Sequence, residues 1–330
     1  MKALVFNDTR ISKHLGCEIV MSQLFAYCHI FGIEIVASLP INSVFETRAR
    51  TFFSKVDLII INGEGTMHGD SPAALRILSL AVEAKALDLK IVLLNSIWFD
   101  NDILNDYLDE IDIIACRESK SATVIRSHGF NCSVVPDLSL TLDIEAFLKT
   151  SESVTDKPFV IDNQRWDSKM KLGLFAKQFN YPFRLMDSHR SFRTIEGWRR
   201  GLAFISKGIK KKEFTKYTIA ELCNSSLVIS GRFHGCCLSI LAQKPVVWFE
   251  GKTKKISGLF EDAKLGLLVQ EGNDFLNGKN FDEHLQLQIE QLEEAMQNIS
   301  MFEEFQERCR QYVDSAKTNV FALFKTISEL

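Results

Sequence analysis

Apolar and polar positions fall in blocks along the first half of the chain, and the period changes from block to block. Leu4-Val5-Phe6 is a short apolar run that ends at polar Asn7, and Val20, Leu24, Tyr27 and Phe31 then recur at the spacing of one helix face. Further short apolar runs cover residues 33–37, 57–61, 90–95, 111–115 and 132–135, lengths that suit strands. Residues 72–86 carry helical spacing, with Pro72 in the first turn, where its missing N–H has no cost. The second half repeats the scheme, with strands predicted over 159–161, 183–186, 227–230 and 246–249. Helices are predicted near 167–179, 192–207, 216–223 and 235–242. Strands that are apolar throughout and alternate with helices predict parallel sheets buried on both faces. The polar stretch 150–157, followed by Pro158, marks the join. The expected fold class is therefore α/β, with two Rossmann-like domains, residues 1–150 and 151–280, whose mainly parallel sheets face a cleft.

The last fifty residues change character. Leu285, Ile289, Leu292, Met296 and Ile299 form one apolar stripe, and Phe302, Phe305, Tyr312, Ala316, Val320 and Phe324 a second. Two long amphipathic helices over 281–330, packing across the domains, are the ordinary cause of this pattern. A homodimer interface or a peripheral membrane contact would use the same stripes.

Composition narrows the class. The chain has 330 residues, 46% hydrophobic and 25% charged, a normal globular balance with room for two cores. A net charge of -3 argues against broad nucleic-acid binding. No run approaches the roughly 18 apolar residues of a membrane span. The first residues do not form a signal peptide, so a cytoplasmic protein, at most at the inner face of the membrane, is expected. Eight cysteines lie in apolar segments or at element ends without a Cys-x-x-Cys pair, so buried free thiols are expected and no metal site.

Ser230-Gly231-Arg232-Phe233-His234-Gly235 is the strongest local signal. A strand ends, a glycine permits a tight turn, and a cation and an imidazole arrive just before a predicted helix. The N–H groups and dipole at that helix start favour an anion. Arg offers two parallel bonds to carboxylate or phosphate, and His can clamp a phosphate or protonate a leaving group. The same two residues would serve equally as ties between the loop and neighbouring strands. Lys252, Lys254 and Lys255 follow the strand over 246–249 at the same sheet edge, although any one of them alone fits a solvated helix start.

In the first half the counterpart is Asn62-Gly63-Glu64-Gly65-Thr66-Met67-His68-Gly69. It is neither a Walker A loop nor a dinucleotide fingerprint, because the Gly-Lys-Ser/Thr and Gly-x-Gly-x-x-Gly spacings are absent. Glu64 is a candidate general acid or base, or else a carboxylate that caps or fixes the loop. The first loop carries Asn7, Asp8, Thr9, Arg10 and His14, polar side chains at the end of a first parallel strand. Alternatively, Asp8 or Ser12 caps the following helix. Arg117 closes another strand, with Glu118 capping or pairing with it, and Asp137 fixes a turn or faces the cleft.

Taken together, these residues resemble the polysaccharide pyruvyl transferase family. The likeness rests on Asn62-Gly63-Glu64-Gly65, Arg117-Glu118-x-x-Ser121 with Gly129, Val135-Pro136-Asp137-Leu138 and Ser230-Gly231-Arg232-Phe233-His234-Gly235. It continues through Ala242, Pro245 and the Lys252–Lys255 loop, and covers about residues 1–262. The resemblance implies a glycosyltransferase-B-like architecture, phosphoenolpyruvate as co-substrate without a further cofactor, and a sugar or lipid-linked oligosaccharide acceptor that receives a pyruvate ketal. It assigns Arg232, His234, Lys252, Lys254 and Arg117 to the donor, and Asn7, Asp8, His14 and Asn62 to the acceptor. Glu64, His234 and Asp8 are its candidate catalytic groups. The first loop departs from the family's glycine-rich segment leading to Gly-Asp-Glu, so the departure falls on the acceptor side. A glycosyltransferase with a nucleotide-sugar donor could use the same cations for a diphosphate, and a non-catalytic scaffold would rely on the C-terminal helices.

Overall fold

The computed structural model describes residues 1–148, 156–186, 214–251, 253–272 and 280–330. The helix expected near 192–207, most of the join at 150–157, and Lys252 lie outside the described residues.

The first sheet is built from β1 (Lys2–Phe6), β2 (Glu34–Leu39), β3 (Leu58–Glu64), β4 (Lys90–Ser96), β5 (Ile113–Cys116) and β6 (Ser133–Val134). All neighbours are parallel and the order is β2-β1-β3-β4-β5-β6. Helices α1 (Leu15–Ile30), α2 (Phe45–Arg50), α3 (Pro72–Lys85) and α4 (Ser119–Ser127) make the crossovers. Ser71 caps α3 by accepting the Ala74 N–H at 3.1 Å, and Pro72 follows at the first helical position.

Alternate residues of the central strands serve opposite faces. Leu4, Phe6, Ile59, Ile61, Ile91 and Leu93 pack against Ala74, Ile77 and Leu78 of α3. Ala3, Val5, Leu58, Ile60, Val92 and Leu94 pack against Val20, Met21 and Leu24 of α1 and against Val320, Phe324 and Ile327 near the C-terminus. Each fully buried Leu, Ile, Val or Phe contributes about 1.5–3 kcal/mol relative to exposure, which is why polar residues in these strands are confined to their ends.

The second sheet is built from β7 (Phe159–Asn163), β8 (Phe183–Arg184), β9 (Val228–Gly231), β10 (Val246–Trp248) and β11 (Val269–Glu271). It is again parallel, in the order β11-β10-β9-β7-β8. Read from β8, this is the order of the first five strands of the first sheet. Its helices are α5 (Trp166–Gln178), α6 (Phe214–Cys223), α7 (Phe233–Leu241) and α8 (Lys255–Ala263). The edge strand β11 is Val-Gln-Glu and only partly buried, so it lacks the apolar run by which the other strands are recognised.

Two helices close the chain, α9 (Phe281–Gln297) and α10 (Ile299–Ser328). Leu285, Ile289 and Leu292 are buried, as are Phe305, Ala316, Val320 and Phe324. Ile299 departs from the stripe. It opens α10 just after the break at Asn298 and is 73% exposed. The chain divides into two compact units. The first holds Met1–Ile11, Glu18–Thr141 and Asp314–Leu330, and the second holds Ser12–Cys17 and Leu142–Val313. The segment 281–330 is therefore shared, with α9 and the start of α10 in the second unit and the end of α10 in the first. The short segment Ser12–Cys17 belongs with the second unit although it follows β1. Among the described residues, no helix is long and apolar enough to cross a membrane. All eight cysteines are free and buried.

Each sheet has a point at which successive strands depart in opposite directions, between β1 and β3 in the first and between β7 and β9 in the second. Ligands of open α/β sheets bind beyond the carboxyl ends of the strands at such points. The Asn62 and Ser230 loops both follow the third strand of their sheet, at these two positions.

Candidate functional site

At the carboxyl edge of the first sheet, β1, β3 and β4 end in residues with left-handed backbone: Asn7 (φ 65°), Glu64 (φ 41°) and Asn95 (φ 54°). Asn tolerates this conformation; Glu adopts it at a cost that the surrounding structure must offset. Hydrogen bonds hold the three. Asn7 Nδ2 donates to the Asn62 carbonyl at 2.6 Å and to Thr66 Oγ1 at 3.1 Å. Asn95 Nδ2 donates to Asn62 Oδ1 at 3.4 Å, while its Oδ1 accepts the Leu138 N–H at 3.0 Å. Glu64 Oε1 accepts from Thr9 Oγ1 at 2.5 Å and from Asn62 Nδ2 at 3.0 Å. Gly63 permits this approach, since a Cβ there would stand 2.3 Å from Ser96 Oγ and 2.9 Å from Ser96 Cα. Glu64 is buried with Asn62 and Asn7, so the structure brings these three sequence candidates together.

Asp8 is held differently. Its carboxylate accepts from Arg10 Nε at 2.9 Å, Arg10 Nη2 at 2.5 Å and Ser38 Oγ at 2.9 Å. Burial alone would raise its pKa, but the bonds from Arg10 and Ser38 outweigh burial and hold the carboxyl below its ordinary value. Such a group suits charge balance and loop shape better than proton abstraction.

Arg117 follows β5 in a buried ion pair. It was assigned to the donor, yet its side chain is 1% exposed, and its Nη1 meets Asp137 Oδ2 at 3.1 Å in a fully buried pair. Asp137 Oδ1 also accepts the Ser139 N–H at 2.9 Å. A buried guanidinium paired in this way ties the β5 and β6 ends together. Glu118 caps α4 through the Ser121 N–H at 3.0 Å and the Ser121 hydroxyl.

At the edge of the second sheet, Arg232 follows β9 and directs Nε and Nη2 onto Asp162 at 2.9 and 2.7 Å. Asp162 lies on β7 and is fully buried. It also accepts the Met186 N–H at 3.1 Å, and Lys169 Nζ stands 3.6 Å away. The bidentate pair fixes the guanidinium in its plane and balances much of its charge. The Ser230 hydroxyl spans the turn, accepting the Arg232 N–H and donating to the Arg232 carbonyl, both at 3.1 Å. Helix α7 begins at once, with no side-chain cap on its first turn.

His14 stands beside His234. Its position in the first loop suggested the acceptor side of the N-terminal domain. The structure places it in the second unit, with its ring 5.6 Å from that of His234. The Leu15 N–H binds the Met186 carbonyl at 2.8 Å, which anchors the segment there. Gly16 lies against the His234 ring so closely that a Cβ would stand 2.1 Å from it. Burial first, then the charges of His234, Arg232 and Lys255, hold the His14 imidazole well below its usual value. Its Nδ1 accepts the Gly16 N–H at 3.1 Å, so the neutral ring carries its proton on Nε2 and presents a donor there.

Of the lysines, Lys254 is exposed and caps α8 with left-handed backbone (φ 47°), and Lys255 is half-buried. The start of α8 is already occupied, because Glu250 accepts the N–H groups of Ile256 at 3.3 Å and Ser257 at 2.8 Å. The uncapped start of α7, by contrast, sits among His14, His234 and Arg232. Sequence reasoning overlooked Asp162, Asn163, Asn95 and Glu250. Their shared signal is a polar residue at or just past the end of an apolar strand, which was followed up after β1, β3, β5, β6 and β9 but not in β4 or β7.

Two Rossmann-like α/β domains, each with a polar carboxyl edge at its switch point, define a glycosyltransferase-B-like protein. Solved structures agree. UDP-GlcNAc 2-epimerase from Neisseria meningitidis aligns with a TM-score of 0.51 at 13% identity, over 96% of this chain and 100% of that one. The epimerase from Methanocaldococcus jannaschii aligns with a TM-score of 0.54 at 12% identity, over 88% and 92%. MurG from Acinetobacter baumannii aligns with a TM-score of 0.51 at 10% identity, over 100% and 99%. At these identities the likeness is one of fold alone. No curated protein matches the chain. The polysaccharide pyruvyl transferase family model matches residues 14–253, well over half the chain, and the chain belongs to that family. Membership and fold together place it among the transferases of polysaccharide biosynthesis.

Proposed function

We propose that the chain transfers a pyruvyl group from phosphoenolpyruvate to two hydroxyls of a sugar in a polysaccharide or its precursor, forming a pyruvate ketal. The observation that carries this reading is the gathering of His14, His234, Arg232 and Lys255 around the uncapped start of α7. A small, doubly anionic donor needs several donors and cations at one place, and this edge supplies them. In the reaction, one hydroxyl oxygen bonds to C2 of the donor while C3 gains a proton and becomes the methyl group. The second hydroxyl oxygen then displaces phosphate from C2, and its proton leaves with solvent or phosphate. The proton gained by C3 balances the one lost from the first hydroxyl, and no oxidant or reductant is required.

In this reading Arg232, held flat by Asp162, and the His14–His234 pair bind the donor anion, with Lys254 and Lys252 assisting from the neighbouring loop. His234 protonates the departing phosphate. Glu64, buried and aligned by Thr9 and Asn62, handles a proton of the acceptor hydroxyl, while Asn7, Asn62 and Asp8 order the loop that meets the sugar. The test is release of inorganic phosphate from phosphoenolpyruvate across a panel of glycosides and lipid-linked oligosaccharides, with the ketal methyl group sought in the product by NMR. Acceptor-dependent release with a ketal product supports the proposal. Turnover of UDP-sugars on the same panel, with phosphoenolpyruvate inert, would replace it with a glycosyltransferase of the same fold.

A further inference from the structure

We infer that Asn163 is a binding residue for the donor, its side-chain amide N–H donating to an anionic oxygen held beside the start of α7. The inference rests on the donor reading above and extends it to a residue outside the sequence-recognised set. Asn163 ends β7 and pairs with Gly231, the last residue of β9, so it stands at the switch point of the second sheet. The residue is fully buried. Its Oδ1 accepts the Arg165 N–H at 2.9 Å, which fixes the orientation of the amide. The other end, Nδ2, lies over Gly231, where a Cβ would stand 2.2 Å from it. Among the described residues, that buried nitrogen has no hydrogen-bond partner.

A buried amide donor without a partner is costly, and folded proteins keep few of them without a reason. The surroundings here supply one. Two residues beyond Gly231 the nine-residue helix α7 begins with no side-chain cap, so its first N–H groups converge on the same edge. The neighbouring helix α8 shows the alternative arrangement, with the Glu250 carboxylate already on its first turn. One helix start at this edge thus carries a carboxylate of the chain, while the other has no side-chain cap and begins two residues beyond the strand end that Asn163 pairs with. Gly231 is required at the junction because any side chain there would occupy the position of Nδ2. A neutral amide adds direction without adding charge. It would select the orientation of a carboxylate or phosphate oxygen that Arg232 and the histidines attract.

The experiment uses the full chain labelled with nitrogen-15. The Asn163 side-chain amide resonance is identified by its loss in Asn163→Asp, which keeps Oδ1 for the Arg165 N–H but replaces the donor with a charged oxygen. Phosphoenolpyruvate, inorganic phosphate, pyruvate and UDP are titrated in turn, and dissociation constants are measured by calorimetry. Movement of the resonance with phosphoenolpyruvate is expected, together with affinity weakened roughly 10- to 100-fold in the neutral Asn163→Ser, that being the worth of one hydrogen bond to a charged group, and weakened further in Asn163→Asp. Phosphate alone moving it assigns the amide to the phosphoryl end, and pyruvate alone to the carboxylate. Asn163→Asp, in turn, shows whether a negative charge at this position repels the anion. If UDP rather than phosphoenolpyruvate gives both effects, the donor proposal fails while Asn163 stands as a ligand residue. A stationary resonance and unchanged affinity in both variants, for every anion, would overturn the inference.

Discussion

Removing Arg232 should destabilise the protein before it affects any chemistry. Arg232→Ala leaves the fully buried Asp162 carboxylate without its two bonds at 2.9 and 2.7 Å. Deleting one partner of a buried pair costs about 3–5 kcal/mol, because the other charge remains desolvated. Two features pull the value to the lower end. The Arg232 side chain is 13% exposed, and Asp162 keeps the Met186 N–H and has Lys169 at 3.6 Å. A loss of about 3 kcal/mol, with a urea dependence of about 2–3 kcal/mol per molar, lowers the unfolding midpoint by about 1–1.5 M. Asp162→Asn combined with Arg232→Ala should recover most of that loss, since the orphaned charge is gone. A single variant that unfolds at the wild-type midpoint would refute the reasoning. The double variant also matters for function, because it separates loss of donor binding from loss of fold.

Three further outcomes follow from the geometry. Gly16→Ala drives a methyl into the His234 ring, 2.1 Å away, and should cost about 1–3 kcal/mol of stability by overpacking, readable as a lower Tm. His14 lies well below 6.5 in the folded chain, so the unfolded state binds its proton first. Stability should therefore fall as pH drops below about 6.5, by up to about 1.4 kcal/mol per pH unit, and the slope should flatten in His14→Gln when unfolding is followed from pH 7 to 5. Glu64→Gln keeps the bonds from Thr9 and Asn62 but removes the exchangeable carboxylate. Turnover should fall roughly 100-fold with donor affinity unchanged, and unaltered turnover would remove Glu64 from the chemistry.

Much of the fold was legible because burial on both faces writes itself into short apolar runs. Residues 57–61 and 90–95 became β3 and β4, and the runs at 159–161 and 227–230 became β7 and β9. Where one face is open the signal fades, as in β11, and where a helix starts afresh a stripe is interrupted, as at Ile299. The site was legible only by residue type. Arg232 and His234 stood out as a cation and an imidazole after a glycine, but Asp162, the partner that fixes Arg232, lies seventy positions away and pairs only through sheet order. Arg117 carried the same chemical signal and is buried against Asp137, a partner twenty positions away. His14 sits on a short segment that leaves the first unit for the second, a change of company that local spacing cannot encode.

Thermal unfolding of the wild-type chain with phosphoenolpyruvate, with UDP, CMP and GDP, and with plain phosphate tests the central proposal most directly. A ligand at about a hundred times its dissociation constant adds roughly 2.7 kcal/mol of stability, enough to move Tm by several degrees. The account predicts a shift with phosphoenolpyruvate that exceeds the shift with phosphate and is absent with the nucleotides. A shift with a nucleotide and none with phosphoenolpyruvate would contradict it.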